Sequence, residues 1–371
     1  MLLPPTFSTP TLIATGLGSR WTVGEHARSL GGGTTALFGD ASLADAGFLG
    51  PIEDQLRVAE GVTLGRTVLS GVNPTVADAE QWAAELAQQG IDVIVAVGGG
   101  STQSLAKAVA LRLTNARPIL DYAWGARPLS ERPIPTIAIP TTAGSGAEVS
   151  STFVLYDDAA SSSIAFPARG NEPDVALLDG ELLISLPEDP MRDAALDAYS
   201  HAFEALWGRR ATTFSSSAAF EALGLIRRLL PVAMADRRPE DLQLLLEAST
   251  LANIACGNAG LGLVHALTSA SGIHVPHGRQ NGIVLPIVAE FNRPLLSDAA
   301  RAEIDRIDEF YDAISAVRAY APEDLPANAL DAMVAAASSS PLRANNIRET
   351  SDEELRELAA AAVATSERVA P

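Results

Sequence analysis

The sequence predicts an α/β domain with a mostly parallel sheet, followed by an all-α domain, and three observations carry that expectation. Short β-branched runs alternate with helical stretches through the first half. Glycine turns close the runs on their C-terminal side, and from about residue 181 strand signals give way to long 3.6-residue periodicity. The expected division is 1–180 for the α/β domain and 181–371 for the helical one, with the change near PDVALLDGELLISLPEDP.

Taken in order, TTALFGD (34–40), RTVLSGV (66–72), DVIVAVGGGS (92–101) and PTIAIPTTAG (135–144) read as strands. The segments around 42–60, 75–90 and 102–113 read as the intervening helices. The clearest unit is ADAEQWAAELAQQGIDVIVAVGGGS, an amphipathic helix closed by Gly90, a buried strand, then a glycine turn opening another helix. In the second half, helices are expected over 191–210, 214–236, 239–256, 258–271, 299–320 and 351–368. No internal repeat or low-complexity linker interrupts the chain, and the two domains are expected to face each other across a cleft suited to a small molecule.

Composition narrows the function classes. Forty-seven per cent hydrophobic and 19% charged residues over 371 positions are ordinary for a globular chain, and the net charge of −19 disfavours nucleic acid or an anionic membrane as a partner. MLLPPTFSTP lacks the charged n-region and apolar core of a signal peptide, and no run of eighteen apolar residues occurs, so a cytoplasmic location is expected. The single cysteine, Cys256, fits a reducing compartment and lies in the small-residue run LANIACGNAG, where it reads as packing. A homo-oligomer, in its simplest form a dimer, is expected.

The histidines carry the chemistry. Three of only five fall in an array with metal-ligand spacing. Asp197 and His201 lie four apart in the Pro-free stretch RDAALDAYSHAFEALWG, so a helix presents both from one face. His265 ends the expected small-residue helix, and Gly272 and Pro276 bend the chain before His277. A lone i,i+4 Asp/His pair is more often a surface hydrogen bond or a satisfied core histidine; the scarcity of the remaining histidines, His26 and His274, gives the array its weight. One carboxylate and three imidazoles suit Fe2+, Zn2+ or another first-row divalent ion, and the ligand types do not choose among them.

A second constellation is VAVGGGSTQSLAKAVAL, where Gly98, Gly99, Gly100 and Ser101 join a buried strand to a helix whose first backbone N–H groups are unpaired. A pyrophosphate binds such a turn, although GGGS is not the spaced GxGxxG pattern and a plain strand-to-helix turn reads the same way. The polar turn IPTTAGSGAEVSST offers Thr141 and Thr142 to the same ligand. Asp40, ending the first clear strand, is placed to accept from a ribose and would repel a 2′-phosphate, which favours NAD over NADP. Twenty-five of the 26 cationic residues are arginine, and the one lysine, Lys107, follows the glycine turn. A confined contact near the cofactor that the planar guanidinium cannot fill would explain its retention, against the alternative of accident.

GGGSTQSLAK, IPTTAGSGAEVS, the DAYSH element and the NAGLGLVHAL…PHG segment, in this order, resemble the iron-dependent (group III) alcohol dehydrogenases over about residues 30–295. The resemblance, with features near the maleylacetate reductase-like branches, implies the dehydroquinate synthase-like fold, with an NAD-binding α/β domain and a helical catalytic domain. It implies metal ligands Asp197, His201, His265 and His277, with Fe2+ ahead of Zn2+. Cofactor contacts would come from Asp40, Gly98, Gly99, Gly100, Ser101, Thr141 and Thr142, and Lys107 is grouped with them. The implied reaction moves a hydride between NAD(H) and a small alcohol, aldehyde or ketone, with His274 and His277 as catalytic residues.

Four departures stand out. The family's usual Asp in GGGSxxDxAK is Ser104; its lysine near the nicotinamide ribose aligns with Ser163; a histidine four residues after the third ligand is Ser269, and the loop to His277 is about two residues shorter. His274 either replaces that imidazole as a proton relay or is a plain loop residue. Alternative readings are a dehydroquinate synthase-like or glycerol-1-phosphate dehydrogenase-like enzyme, a specialised-pathway dehydrogenase acting on a larger substrate such as a peptide C-terminal residue, and a non-catalytic NAD- and metal-binding scaffold.

Overall fold

The computed structural model describes residues 6–364. They fall into two compact units, one of residues 9–186 with 238–247, the other of residues 6–8, 187–237 and 248–364.

The first unit runs β1 (Leu12–Thr15), α1 (Val23–Ser29), β2 (Gly33–Asp40), α2 (Ala41–Asp45), α3 (Leu49–Val58), β3 (Val62–Ser70), α4 (Val76–Leu86), β4 (Ile91–Gly98), α5 (Gly100–Thr114), β5 (Thr136–Pro140), β6 (Thr152–Asp157), β7 (Ser162–Pro167) and β8 (Val175–Leu178). Six strands form one parallel sheet in the order β1-β8-β5-β4-β2-β3, while β6 and β7 pair antiparallel on their own. The central β4 is apolar at seven of its eight positions, as a strand covered on both faces requires. Val109 and Leu105 of α5 and Ala83 and Leu86 of α4 share a core with Phe38, Val68 and Ile94 of the sheet. Phe153 and Phe166 of the hairpin join it, their rings stacked with centroids 4.8 Å apart.

The chain starts at the edge strand β1, crosses to β2 and climbs outward to β3, then returns to β4 and continues through β5 to β8, which pairs with β1. The reversal therefore falls between β2 and β4. Such a switch point leaves a crevice beyond the carboxyl ends of the strands, where ligands of open α/β sheets bind.

The second unit is helical: α6 (Glu188–Trp207), α7 (Thr213–Asp236), α8 (Pro239–Ala259), α9 (Leu263–Thr268), α10 (His277–Asn292), α11 (Asp298–Ile304), α12 (Ile307–Ala313), α13 (Ala329–Ser339) and α14 (Asp352–Ala364). The first ten residues of the α8 region, 238–247, belong to the α/β unit.

Several expected elements differ from those observed. The helix expected over 42–60 is two, because Gly47 adopts φ +80° between them. The helix expected over 258–271 breaks at Gly260, φ +82°, so His265 lies inside the short α9 instead of ending a long helix. The expected 299–320 helix is divided into α11 and α12, and the end of the expected 351–368 helix lies outside the described residues. Strands β1, β6, β7 and β8 and helices α1, α10 and α13 were not anticipated. Both β1 and β8 are four residues long, too short for alternation to register, and Pro286 inside α10 masks its helical period.

Candidate metal centre and dinucleotide turn

Helix α6 supplies the first part of the metal centre. It is buried on most sides, and Asp197 and His201 leave one face a turn apart, each less than 10% exposed. Helix α10 approaches α6 closely because Gly278 and Gly282 face it; a Cβ on Gly278 would fall 1.9 Å from the Asp193 carbonyl oxygen. Arg279 fastens the same contact with two 3.0 Å hydrogen bonds to Asp193. That approach sets His277, at the first turn of α10, beside Asp197.

The three imidazole Nε2 atoms of His201, His265 and His277 lie 3.6, 3.6 and 4.0 Å from Asp197 Oδ1. These separations are too long for hydrogen bonds. They resemble the roughly 3.4 Å spacing between donors that share one tetrahedral ion at about 2.1 Å. Asp197, His201 and His265 form a buried cluster whose donor atoms all lie within 4.8 Å of one another; His277 stands at its rim with its side chain 51% exposed. Burial alone would raise the Asp197 carboxyl, but the surrounding imidazoles outweigh it and hold the group well below the usual carboxylate range. Burial pushes His201 down to about 4, leaving a neutral ring with a lone pair. Burial would lower His265 as well, but the Glu204 and Asp197 carboxylates prevail and bring it to about 9, so an entering cation displaces a proton there. The donor set thus fits a divalent ion.

Two residues of this centre escaped the sequence reading. Glu204, fully buried on α6, accepts from His265 Nδ1 at 2.6 Å and from the Val264 N–H at 2.7 Å. Asn281, also fully buried, directs its amide nitrogen at Asp197 Oδ1, 2.7 Å away, and lies 3.0 and 3.2 Å from Nε2 of His265 and His277. Spacing offered a signal for both: Glu204 continues the face of Asp197 and His201, and Asn281 follows His277 by one turn.

In the α/β unit, the glycine turn lies at the carboxyl end of β4, with Gly99 as N-cap and Gly100 opening α5. Gly98 carries no side chain for a tight reason: a Cβ would lie 2.5 Å from Thr102 Oγ1. A Cβ on Gly99 would touch Thr142 Oγ1 at 3.4 Å, and one on Gly100 would fall 2.8 Å from Ser145 Oγ, so the turns after β4 and β5 are adjacent. The Thr141 N–H donates to the Gly98 carbonyl at 3.3 Å, and Ser101 Oγ accepts from the Asn73 N–H at 3.3 Å. Asp40 ends β2 and caps α2, its Oδ1 accepting from the Ser42 N–H and hydroxyl at 2.8 and 2.6 Å. Asp40, the glycine turn and Thr141 therefore occupy the carboxyl ends of three neighbouring strands, β2, β4 and β5, at the switch point.

The profile described as iron-containing alcohol dehydrogenase matches residues 10–180, and that of its C-terminal domain matches residues 192–370. The chain belongs to the iron-containing alcohol dehydrogenase family. Among relatives, the probable alcohol dehydrogenase EutG of Salmonella typhimurium is 34% identical over 84% of this chain and 80% of its own length. The NAD-dependent methanol dehydrogenase of Bacillus methanolicus is 30% identical over 77% of this chain and 75% of its own length. The structure of sulfoacetaldehyde reductase from Bifidobacterium kashiwanohense in complex with NAD+ superposes with a TM-score of 0.87 at 25% identity, covering 98% of this chain and all of that one.

Within this iron-containing alcohol dehydrogenase, Lys107 makes a confined polar contact. It is 1% exposed, and its Nζ donates to the carbonyls of Ala147, Ser150 and Thr152 at 2.9, 2.9 and 2.7 Å. Three acceptors match the three ammonium hydrogens, so Lys107 ties α5 to the segment after the threonine turn. Burial lowers its pKa to about 7, against Glu148 and Glu172, which raise it. Ser104, at the family's Asp position, is buried and accepts from the Val154 N–H at 3.2 Å, tying α5 to β6. Ser163 is exposed on β7 opposite Tyr156. Ser269 turns back to the His265 carbonyl at 2.5 Å, and His274 is exposed on the loop before α10.

Proposed function

We propose that the chain is an NAD-dependent, metal-dependent alcohol dehydrogenase acting on small alcohols and the corresponding aldehydes or ketones, with Asp197, His201, His265 and His277 holding one divalent ion, Fe2+ before Zn2+. The observation that carries this reading is the convergence of three imidazole nitrogens on one carboxylate oxygen at separations too long for hydrogen bonds. Such an ion, when bound, supplies the Lewis acidity that makes an alcohol hydroxyl more acidic or a carbonyl more electrophilic. The chain's own part is to present four donors from α6, α9 and α10, three of them buried, so that little reorganisation accompanies binding. His277, half exposed, leaves that side of the centre open to substrate.

The glycine turn gives the pyrophosphate of NAD a surface without side chains and the free N–H groups of the first turn of α5. Thr141, Thr142 and Ser101 add hydroxyls, and Asp40 keeps one carboxylate oxygen for a ribose while Ser42 holds the other. His274 is proposed to relay protons, supported by its place on the exposed loop between His265 and His277. Cytoplasmic residence and a homodimer complete the reading. Among the described residues no helix is long and apolar enough to cross a membrane, and edge strand β1 carries Leu12 outward, 57% exposed.

Elemental analysis of the purified chain, with an NAD(H)-coupled screen of short alcohols and aldehydes, tests the function. About one ion per chain and turnover on at least one pair is expected; a chain with neither would sink the reading.

A further inference from the structure

We propose that Glu204 is a positioning residue that sets the tautomer of His265, so that Nδ1 carries the proton and Nε2 offers its lone pair to the ion. The proposal rests on the ligand assignment above and goes past it. A carboxylate can only accept, so each hydrogen bond to Glu204 must be donated by its neighbour. Oε1 is taken by the Val264 N–H at the start of α9, and Oε2, 2.6 Å from Nδ1, therefore requires an Nδ1–H. Gly262 leaves room for this carboxylate, since a Cβ there would come within 3.2 Å of Oε1. The ring is then turned with Nε2 toward Asp197, 3.6 Å from Oδ1.

His201 shows that the arrangement is particular to His265. Its Nδ1 is buried without a hydrogen-bond partner, and its Nε2 lies at the same 3.6 Å from Asp197 Oδ1. Of the two fully enclosed imidazoles, only the one on the short, glycine-flanked α9 has a carboxylate behind it. His201 needs less, because the twenty-residue α6 already fixes its backbone. An imidazole backed by a carboxylate is oriented and made more basic as a ligand.

The competing role is a simple cap for Val264, and Glu204→Gln separates the two. Glutamine has one acceptor oxygen; placed on the Val264 N–H, it keeps the cap and turns its NH2 toward Nδ1, which forces the proton onto Nε2 and blocks the lone pair. The metal-free variant should melt close to the wild type and bind Zn2+ roughly 10- to 100-fold more weakly in a chelator competition. Zinc affinity equal to wild type would overturn the proposal while leaving the ligand assignment intact. A wild-type chain that takes up no zinc would overturn both. Should the variant not fold, histidine-selective 15N NMR on the zinc-loaded wild type decides, because the chain has only five histidines: a downfield, slowly exchanging Nδ1–H on His265 is expected, and an Nε2–H on that ring would refute the assignment.

Discussion

The helical unit and the α/β unit gather their chemistry by opposite means. Around Asp197 the chain brings polar side chains inward from α6 and α9, whose donor atoms meet in a buried cluster with His277 of α10 at its rim. Around Gly98 it removes side chains and leaves a bare turn opening α5, to which the proposed reading assigns the dinucleotide. The first arrangement depends on individual donors, each contributing bond energy. The second depends on where the backbone runs, which is set by residues that never touch the ligand. Substitution should therefore act directly in the helical unit and indirectly in the other.

The largest effect is expected at His201. His201→Ala should reduce bound metal from about one ion per chain to background and abolish turnover, because tetrahedral sites tolerate loss of a protein donor poorly. Metal content by elemental analysis checks it, and unchanged content would break the side-chain half of the comparison. Next comes Lys107→Arg, which keeps the charge but forces a planar fork where three carbonyls surround one nitrogen. Overpacking there should cost about 1–3 kcal/mol in stability, read by denaturant titration, and weaken NAD(H) binding through the threonine turn. Wild-type stability would show that the α/β site does not rely on this support.

Asp40→Ala should narrow the preference for NAD(H) over NADP(H) by about tenfold, or ~1.4 kcal/mol. Fluorescence titration with both cofactors reads the ratio, and an unchanged one would remove Asp40 from the ribose site. The smallest effect belongs to His274→Asn. Solvent can substitute for an exposed relay, so kcat should fall about tenfold or less, below the ~10²–10⁴ typical of a general base. Metal and NAD affinity should stay put, and a pH–rate profile identical to wild type would make His274 a loop residue.

Which residues could be recognised from sequence follows from how local their geometry is. Asp197 and His201 share a helix, so spacing alone places them together. Glu204 lies on the same face, yet a glutamate on a helix is ordinarily solvated, and only the burial of α6 makes it a partner of His265. Lys107 was conspicuous as the single lysine, but its targets lie 40 to 45 residues onward in a segment without periodicity, so the direction of its side chain could not be inferred.

The sequence by itself determined the succession of an α/β unit and a helical unit, the glycine turn after a buried strand, and the donor types of the metal centre. These rest on short-range rules of periodicity, backbone freedom and ligand chemistry that operate within a few residues. The tertiary structure decided the sheet order that aligns Asp40, Gly98 and Thr141, the approach of α10 to α6 that admits His277 and Asn281, and the carboxylate behind His265. Each joins segments tens of residues apart, and packing, which no local pattern encodes, settles which of them meet.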